Sequence, residues 1–364
     1  MQQLISYIAL GAPATRRPAT GNLPFLRPEI GFTPKWYHQA IGIDFGEKWH
    51  TNPAYRKQSL TEMRIEIDHR FPGNQIGKHK NGIPDLLTGL FGACSIAAIY
   101  GVPIRFEADQ WPVSEHVHIS DEEMENLQPP DLSVNPFFQK IMEQVDWIAR
   151  NEGKVYGFMN WQGVLNNAQR IRGPEIFMDF YMNPGGVKNL LGCVCITMIE
   201  AAKILQQKQR DSGIDFTFFT VSNCLVNMLS PELYNEFILP FDQKIASVFE
   251  TIGIHNCAWS ATPYLGDYAK VPKVGYIDMG MDSDLETAKT LFSETRRSIM
   301  YTPMDVASKT TGQIKDDLEF IAAKYGPCDI VAADVEFGTP DKKVMELIKI
   351  CNNISEKYIQ HKLI

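Results

Sequence analysis

The sequence has no run approaching the ~18 consecutive apolar residues of a membrane span. It also has no stretch of Lys and Arg dense enough to track a phosphate backbone. With 35 Lys and Arg against 43 Asp and Glu, the net charge is −8. Neither a membrane nor a nucleic-acid partner is expected. Low-complexity segments and short repeats are missing, and no G-x-G-x-x-G follows any apolar run, which argues against a dinucleotide fold. The apolar opening "MQQLISYIALGAPA" has no basic stretch ahead of it; Arg16 and Arg17 come after it. It reads as a first helix of the mature protein and not as a secretion signal.

Cysteine is sparse and odd in number, seven residues at 94, 193, 195, 224, 257, 328 and 351. Most lie in apolar segments such as "GACSIAAI" and "LLGCVCITMI", where a thiol behaves as a small hydrophobe. That usage points to a reducing, cytoplasmic setting and not to a disulfide framework. Cys193 and Cys195 form C-x-C on an expected helix, which turns their side chains to different faces.

What is present is alternation. Residues 1–88 are loop-rich and aromatic, and read as an irregular N-terminal extension packing on the rest. Within them Trp49 and His50 are candidates for a lid or for plain surface. From 89 to 364, short apolar runs alternate with amphipathic stretches. The expected strands are 102–109, 154–163, 215–223, 253–259, 274–280, 298–305 and 329–336. Helices N-capped by Ser230 and Asp284 fit between them. Such alternation predicts a parallel sheet. Seven visible units suit a (β/α)8 TIM barrel, with one more strand hidden upstream and a doubly wound sheet as the competitor.

In such a barrel chemistry gathers at the carboxyl ends of the strands. Those ends carry Asn160, Trp161 and Gln162, then Asn223, His255 and Cys257, then Asp278, Tyr301, Asp305, Asp334 and Glu336. Asp278, Asp305 and Asp334 are candidates for acid–base work, or for orienting a histidine. Asn160, Trp161, Gln162, Asn223 and Tyr301 are candidate substrate contacts. His255 and Cys257, two apart on a strand, share one face and can converge on one ion; the alternative is a buried Cys beside a hydrogen-bonded His. Arg296 and Arg297 read as a solvated helix end.

The stretches "YGVPIRFEADQWPVSEHVHISDEEMENLQPPD", "FMDFYMNPGGVKNLL", "SPELYNEFILPFDQKI", "GIHNCAW" and "CDIVAADVEFGTPDKKVMELIKIC" resemble the uroporphyrinogen decarboxylase superfamily over about residues 90–355. The resemblance is closest to its cobalamin-dependent methyltransferases, the methylcobamide:coenzyme M type. It implies a zinc ion held by H-x-C and a later Cys, and methyl transfer between a small methyl donor or acceptor and a corrinoid on a partner protein. The chain has no D-x-H-x-x-G run with which to bind a corrinoid itself. His255 and Cys257 match H-x-C. The decarboxylase's M-R-Q-A-G-R run is absent. The cysteine far enough downstream, Cys328, precedes the apolar core of its strand and should lie roughly 15–20 Å below the rim. Glu336 is therefore expected as third ligand, ahead of Asp334 and then Cys328. A metal-free decarboxylase or lyase, and a non-catalytic accessory protein of a corrinoid system, are the competing readings.

Overall fold

The computed structural model describes residues 23–73, 76 and 83–362, so the helix expected at the N-terminus lies outside the described residues. Six strands form one sheet: β1 (Leu26–Phe32), β2 (Phe218–Ser222), β3 (Thr251–His255), β4 (Val274–Met279), β5 (Arg296–Met300) and β6 (Cys328–Val335). They lie in the order β1-β6-β5-β4-β3-β2, every neighbouring pair parallel. These strands are buried nearly throughout, as in sheets covered on both faces.

Two irregular segments complete the wall. Residues 83–90 and 155–162 carry no ladder, yet Phe158 donates its N–H to Thr88 Oγ1 at 3.0 Å. The Phe158 ring stacks on Phe218 of β2, centroids 5.7 Å apart. One cavity is lined from Thr88, from Phe158 and from the ends of β2, β3, β5 and β6 alike. The architecture is thus the expected α/β barrel, with six regular staves and two irregular ones. Gly157 explains why 154–163 is not the strand its composition suggests. It takes φ +137°, outside the extended region, and lies so close to Asp85 and Leu87 that no side chain would fit.

Four further expectations are corrected. The stretch 102–109 keeps only Ile104–Arg105, paired antiparallel with Val113–Ser114 outside the barrel. The hidden strand is β1, within the segment expected merely to pack on the barrel. Leu26 pairs with Cys328, so residue 88 does not separate an extension from a barrel. Arg296 and Arg297 open β5 and are buried. The aromatic N-terminal region is core as well: Trp49 and His50 are fully buried, not a lid. Buried Arg56 ties this region inward by donating to the carbonyls of Trp49 and Leu86 and to Gln144 Oε1. No helix among the described residues is long and apolar enough to cross a membrane.

Helix starts follow local chemistry. Asn135, Asn183, Ser230 and Asp284 each accept a first-turn N–H through their side chains. The helix after β2 contains a π-helical turn at Tyr234–Ile238, ending two positions before Pro240. Proline has no N–H to return to the preceding turn, and the ladder slips by a residue.

The amino end of the barrel is closed by charge. Asp329 accepts from Arg27 and, at 2.6 and 3.0 Å, from Arg296. Arg296 also lies 3.5 Å from Glu29. All these groups are buried or nearly so, and positive and negative partners balance. Removing one strands the others in a low dielectric. Asp329→Ala is expected to cost about 3–5 kcal/mol in urea unfolding, whereas an Ala at the exposed pair Lys188–Glu236 should shift the midpoint little.

Candidate metal centre

Three donor atoms converge at the carboxyl ends of β2 and β3. His255 is the last residue of β3, and Cys257 follows two positions later. Cys224 follows β2 by two positions. The register that pairs Ser222 with His255 brings these ends together. The Asn223 N–H then donates to the His255 carbonyl at 2.7 Å beyond the ladder. Cys257 Sγ lies 3.0 Å from Cys224 Sγ and 3.2 Å from His255 Nε2. The donor atoms of Cys224, His255 and Cys257 all fall within 4.8 Å of one another.

Backbone geometry holds this arrangement. Cys257 takes a left-handed φ of +55°, as do Gln162 (+61°) and Asp334 (+59°) at other stave ends. Non-glycine residues occupy that region only where their surroundings over-determine it. For Cys257 part of the constraint is Gly280, whose N–H donates to the Trp259 carbonyl at 2.9 Å. A Cβ on Gly280 would stand 2.1 Å from the Ala258 carbonyl oxygen.

Behind the histidine stands Asp278, fully buried near the end of β4. Its Oδ2 is 2.7 Å from His255 Nδ1, and its Oδ1 accepts the Asn256 N–H at 2.7 Å. With Nδ1 carrying the proton, Nε2 presents its lone pair to the sulfurs, as in carboxylate–histidine–metal relays. Without a metal the three groups share protons. The hydrogen bond from Cys257, helped by the His255 charge and opposed by burial, holds Cys224 down at about 4. Donating that bond, together with burial, pushes Cys257 up. Burial opposes protonation of His255, but the charges of Asp278 and the two thiols outweigh it and raise its pKa well above 6.5.

Two sulfurs and one imidazole nitrogen are a borderline-soft donor set that suits zinc, leaving a fourth position open. Bonds of ~2.3 Å to sulfur and ~2.0 Å to nitrogen in a tetrahedron need donor separations of about 3.5–3.8 Å. The observed distances reach that with sub-ångström adjustments. His255 and Cys257 line a cavity of about 390 Å³, with Cys224 behind them.

The expected site residues divide. Asn160, Tyr301 and Asp334 line the cavity, although the Tyr301 hydroxyl is engaged by Asp317 at 2.6 Å. Trp161 and Gln162 are buried in the wall, Gln162 accepting from Asn166 at 2.9 Å. Asn223 is fully buried and donates to Asp242, so it is not a substrate contact. Burial pushes Asp242 up to about 6, against its bonds from Asn223 and Tyr234. Asp278 orients His255. The Asp305 carboxylate accepts from Thr302 Oγ1 and pairs with Lys309 at 3.0 Å, so it is engaged behind the cavity-lining Thr302 and does not itself line the cavity. Glu336, the expected third ligand, is exposed beyond β6 and outside the converging group; Cys328 opens β6, as its place in the sequence indicated. The residue that joins His255 and Cys257 is Cys224, 33 positions upstream of Cys257. Its signal in the sequence is its place just past the end of the 215–223 run; the H-x-C…C order points downstream instead.

The family model described as uroporphyrinogen decarboxylase (URO-D) matches residues 75–352. Among solved structures, a methyltransferase from Methanosarcina mazei superposes with a TM-score of 0.63 at 16% identity, covering 92% of this chain and 95% of that one. A B12-independent methionine synthase from Shewanella sp. W3-18-1, in complex with selenomethionine, gives a TM-score of 0.45 at 11% identity, with 94% and 99% covered. No match is found among the curated proteins.

Asp278→Ala is expected to weaken Zn²⁺ affinity about 10- to 100-fold in competition with a chromophoric chelator. Binding requires His255 neutral and Cys257 deprotonated, so it should expel about two protons near neutral pH and weaken as pH falls. Zn²⁺ titration calorimetry in buffers of different ionisation enthalpy reads that number directly.

Proposed function

The chain belongs to the uroporphyrinogen decarboxylase family, and within it we propose a zinc-dependent methyltransferase that moves a methyl group between a small substrate and a corrinoid carried by a separate protein. The observation that carries this reading is the Cys224–His255–Cys257 triplet, backed by Asp278 and opening on a cavity. A similar fold in a protein described as a methyltransferase supports it.

Cys224, Cys257 and His255 Nε2 would hold the ion. Zinc, when bound, supplies a Lewis acid that keeps a thiol deprotonated near neutral pH. Asp278 fixes the histidine tautomer and ring plane. Trp111, Phe158 and Met300 line the cavity and keep water from the reacting atoms, while Asn160 and Thr220 offer polar contacts that orient a small molecule. Holding the two reactants in line supplies much of the remaining rate.

The decarboxylase reading is disfavoured by charge. A polycarboxylate needs cations to grip it, and among the described residues no Lys or Arg lines this cavity. A defined cavity with converging donors also disfavours a purely accessory role.

Protein purified without a chelating tag is expected to hold about one zinc per chain. Cys224→Ala, His255→Ala and Cys257→Ala should each lose it, while Glu336→Gln and Cys328→Ser retain it. Zinc-loaded protein should also demethylate methylcobalamin in the presence of a small thiol. A folded wild-type chain without affinity for zinc would falsify the reading.

A further inference from the structure

Charge is one-sided in the cavity above the metal centre. Beside His255 and Cys257, the ionisable side chains lining it are Tyr301, whose hydroxyl is already engaged, and Asp334. Asp334 is exposed at the end of β6, and its left-handed backbone sets its direction. Its carboxylate has no hydrogen-bond or ion-pair partner among the described residues, yet it lies close enough to interact with the His255 charge. It does not belong to the converging donor group. The same cavity is lined by Trp111, Phe158 and Tyr301. Aromatic faces attract cations, the more so where water is partly excluded. A nearby cation, Arg170, lies by Cys94 and Cys224 with Nη1 on the Asn166 carbonyl, and it does not line the cavity.

An unpaired carboxylate in a cavity that aromatic rings also line, with the converging thiols and imidazole in the same wall, is complementary to a molecule with sulfur at one end and positive charge at the other. We propose that the small substrate is a thiol carrying an ammonium group, its sulfur at the Cys224–His255–Cys257 centre and its ammonium at Asp334, in the cavity that Trp111 and Phe158 also line. This rests on the methyltransferase reading and adds a substrate class to it. In the transfer, the thiol proton leaves to solvent and sulfur uses its electron pair to bond the methyl carbon. The carbon–cobalt bond of the methylcorrinoid breaks, and its electron pair stays on cobalt.

Calorimetry on the zinc-loaded full-length protein tests the assignment, with cysteamine, mercaptoethanol and mercaptopropionate as probes of similar length. Cysteamine should bind about tenfold more tightly than mercaptoethanol, and mercaptopropionate most weakly. Asparagine tolerates the left-handed backbone, so Asp334→Asn should keep its fold and zinc content while the cysteamine preference collapses to within about twofold. Mercaptopropionate binding as tightly as cysteamine, or a preference that survives Asp334→Asn, overturns the ammonium assignment and leaves the zinc reading intact. If no thiol binds the zinc-loaded protein at all, the underlying reading fails and this one with it.

Discussion

The hydrogen bond from the Asn223 N–H to the His255 carbonyl extends the β2–β3 ladder one step past its regular end. On that step depends the meeting of the three donor atoms. Cys224 leaves β2 immediately after Asn223, and Cys257 leaves β3 two positions after His255. A parallel pair has evenly spaced, slanted bonds, so a slip of one residue would carry the sulfur of one strand away from the imidazole of the other. Register, more than any side-chain contact, creates the site.

Around that step the molecule spends polar groups where they cannot be reached by water. Asn223 donates to Asp242, which also accepts from Tyr234 at 2.8 Å on the π-helical turn. Asn256 donates to the Asp278 carbonyl and accepts from Tyr268 at 2.6 Å. Residues Asn223 and Asn256, each next in sequence to a donor, thus anchor the backbone from beneath while His255 and Cys257 line the cavity. Buried networks of this kind fix a single geometry when their members are paired. The opposite end of the barrel uses the same physics with full charges, Asp329 between Arg27 and Arg296.

Much of this was legible in sequence. The strands at 215–223, 253–259, 274–280, 298–305 and 329–336 stand out because fully covered staves need continuous apolar runs. His255 and Cys257 are visible as a pair from their H-x-C spacing, although Cys257 lies past the strand end and meets His255 through a left-handed turn. Cys328 is legible at the amino end of its strand because it precedes the apolar core of that strand. Less was legible where local composition and tertiary role diverge. "LRPEIGF" carries Arg, Pro, Glu and Gly, yet it forms β1, because β6 offers a parallel edge and Arg27 finds Asp329. "KVYGFMNWQG" looks like a strand, and Gly157 bends it out of one.

The sequence by itself determined the alternation of staves and helices, the family, and two of the three converging side chains, since each follows from local pattern or residue type. Only the tertiary structure decided the third. Cys224 and Glu336 both follow a strand end, and nothing local ranks one over the other. Strand order does: β2 lies beside β3 in the sheet, whereas β6 stands three places away from it. Adjacency across a sheet is a property of the closed barrel, and no stretch of chain contains it.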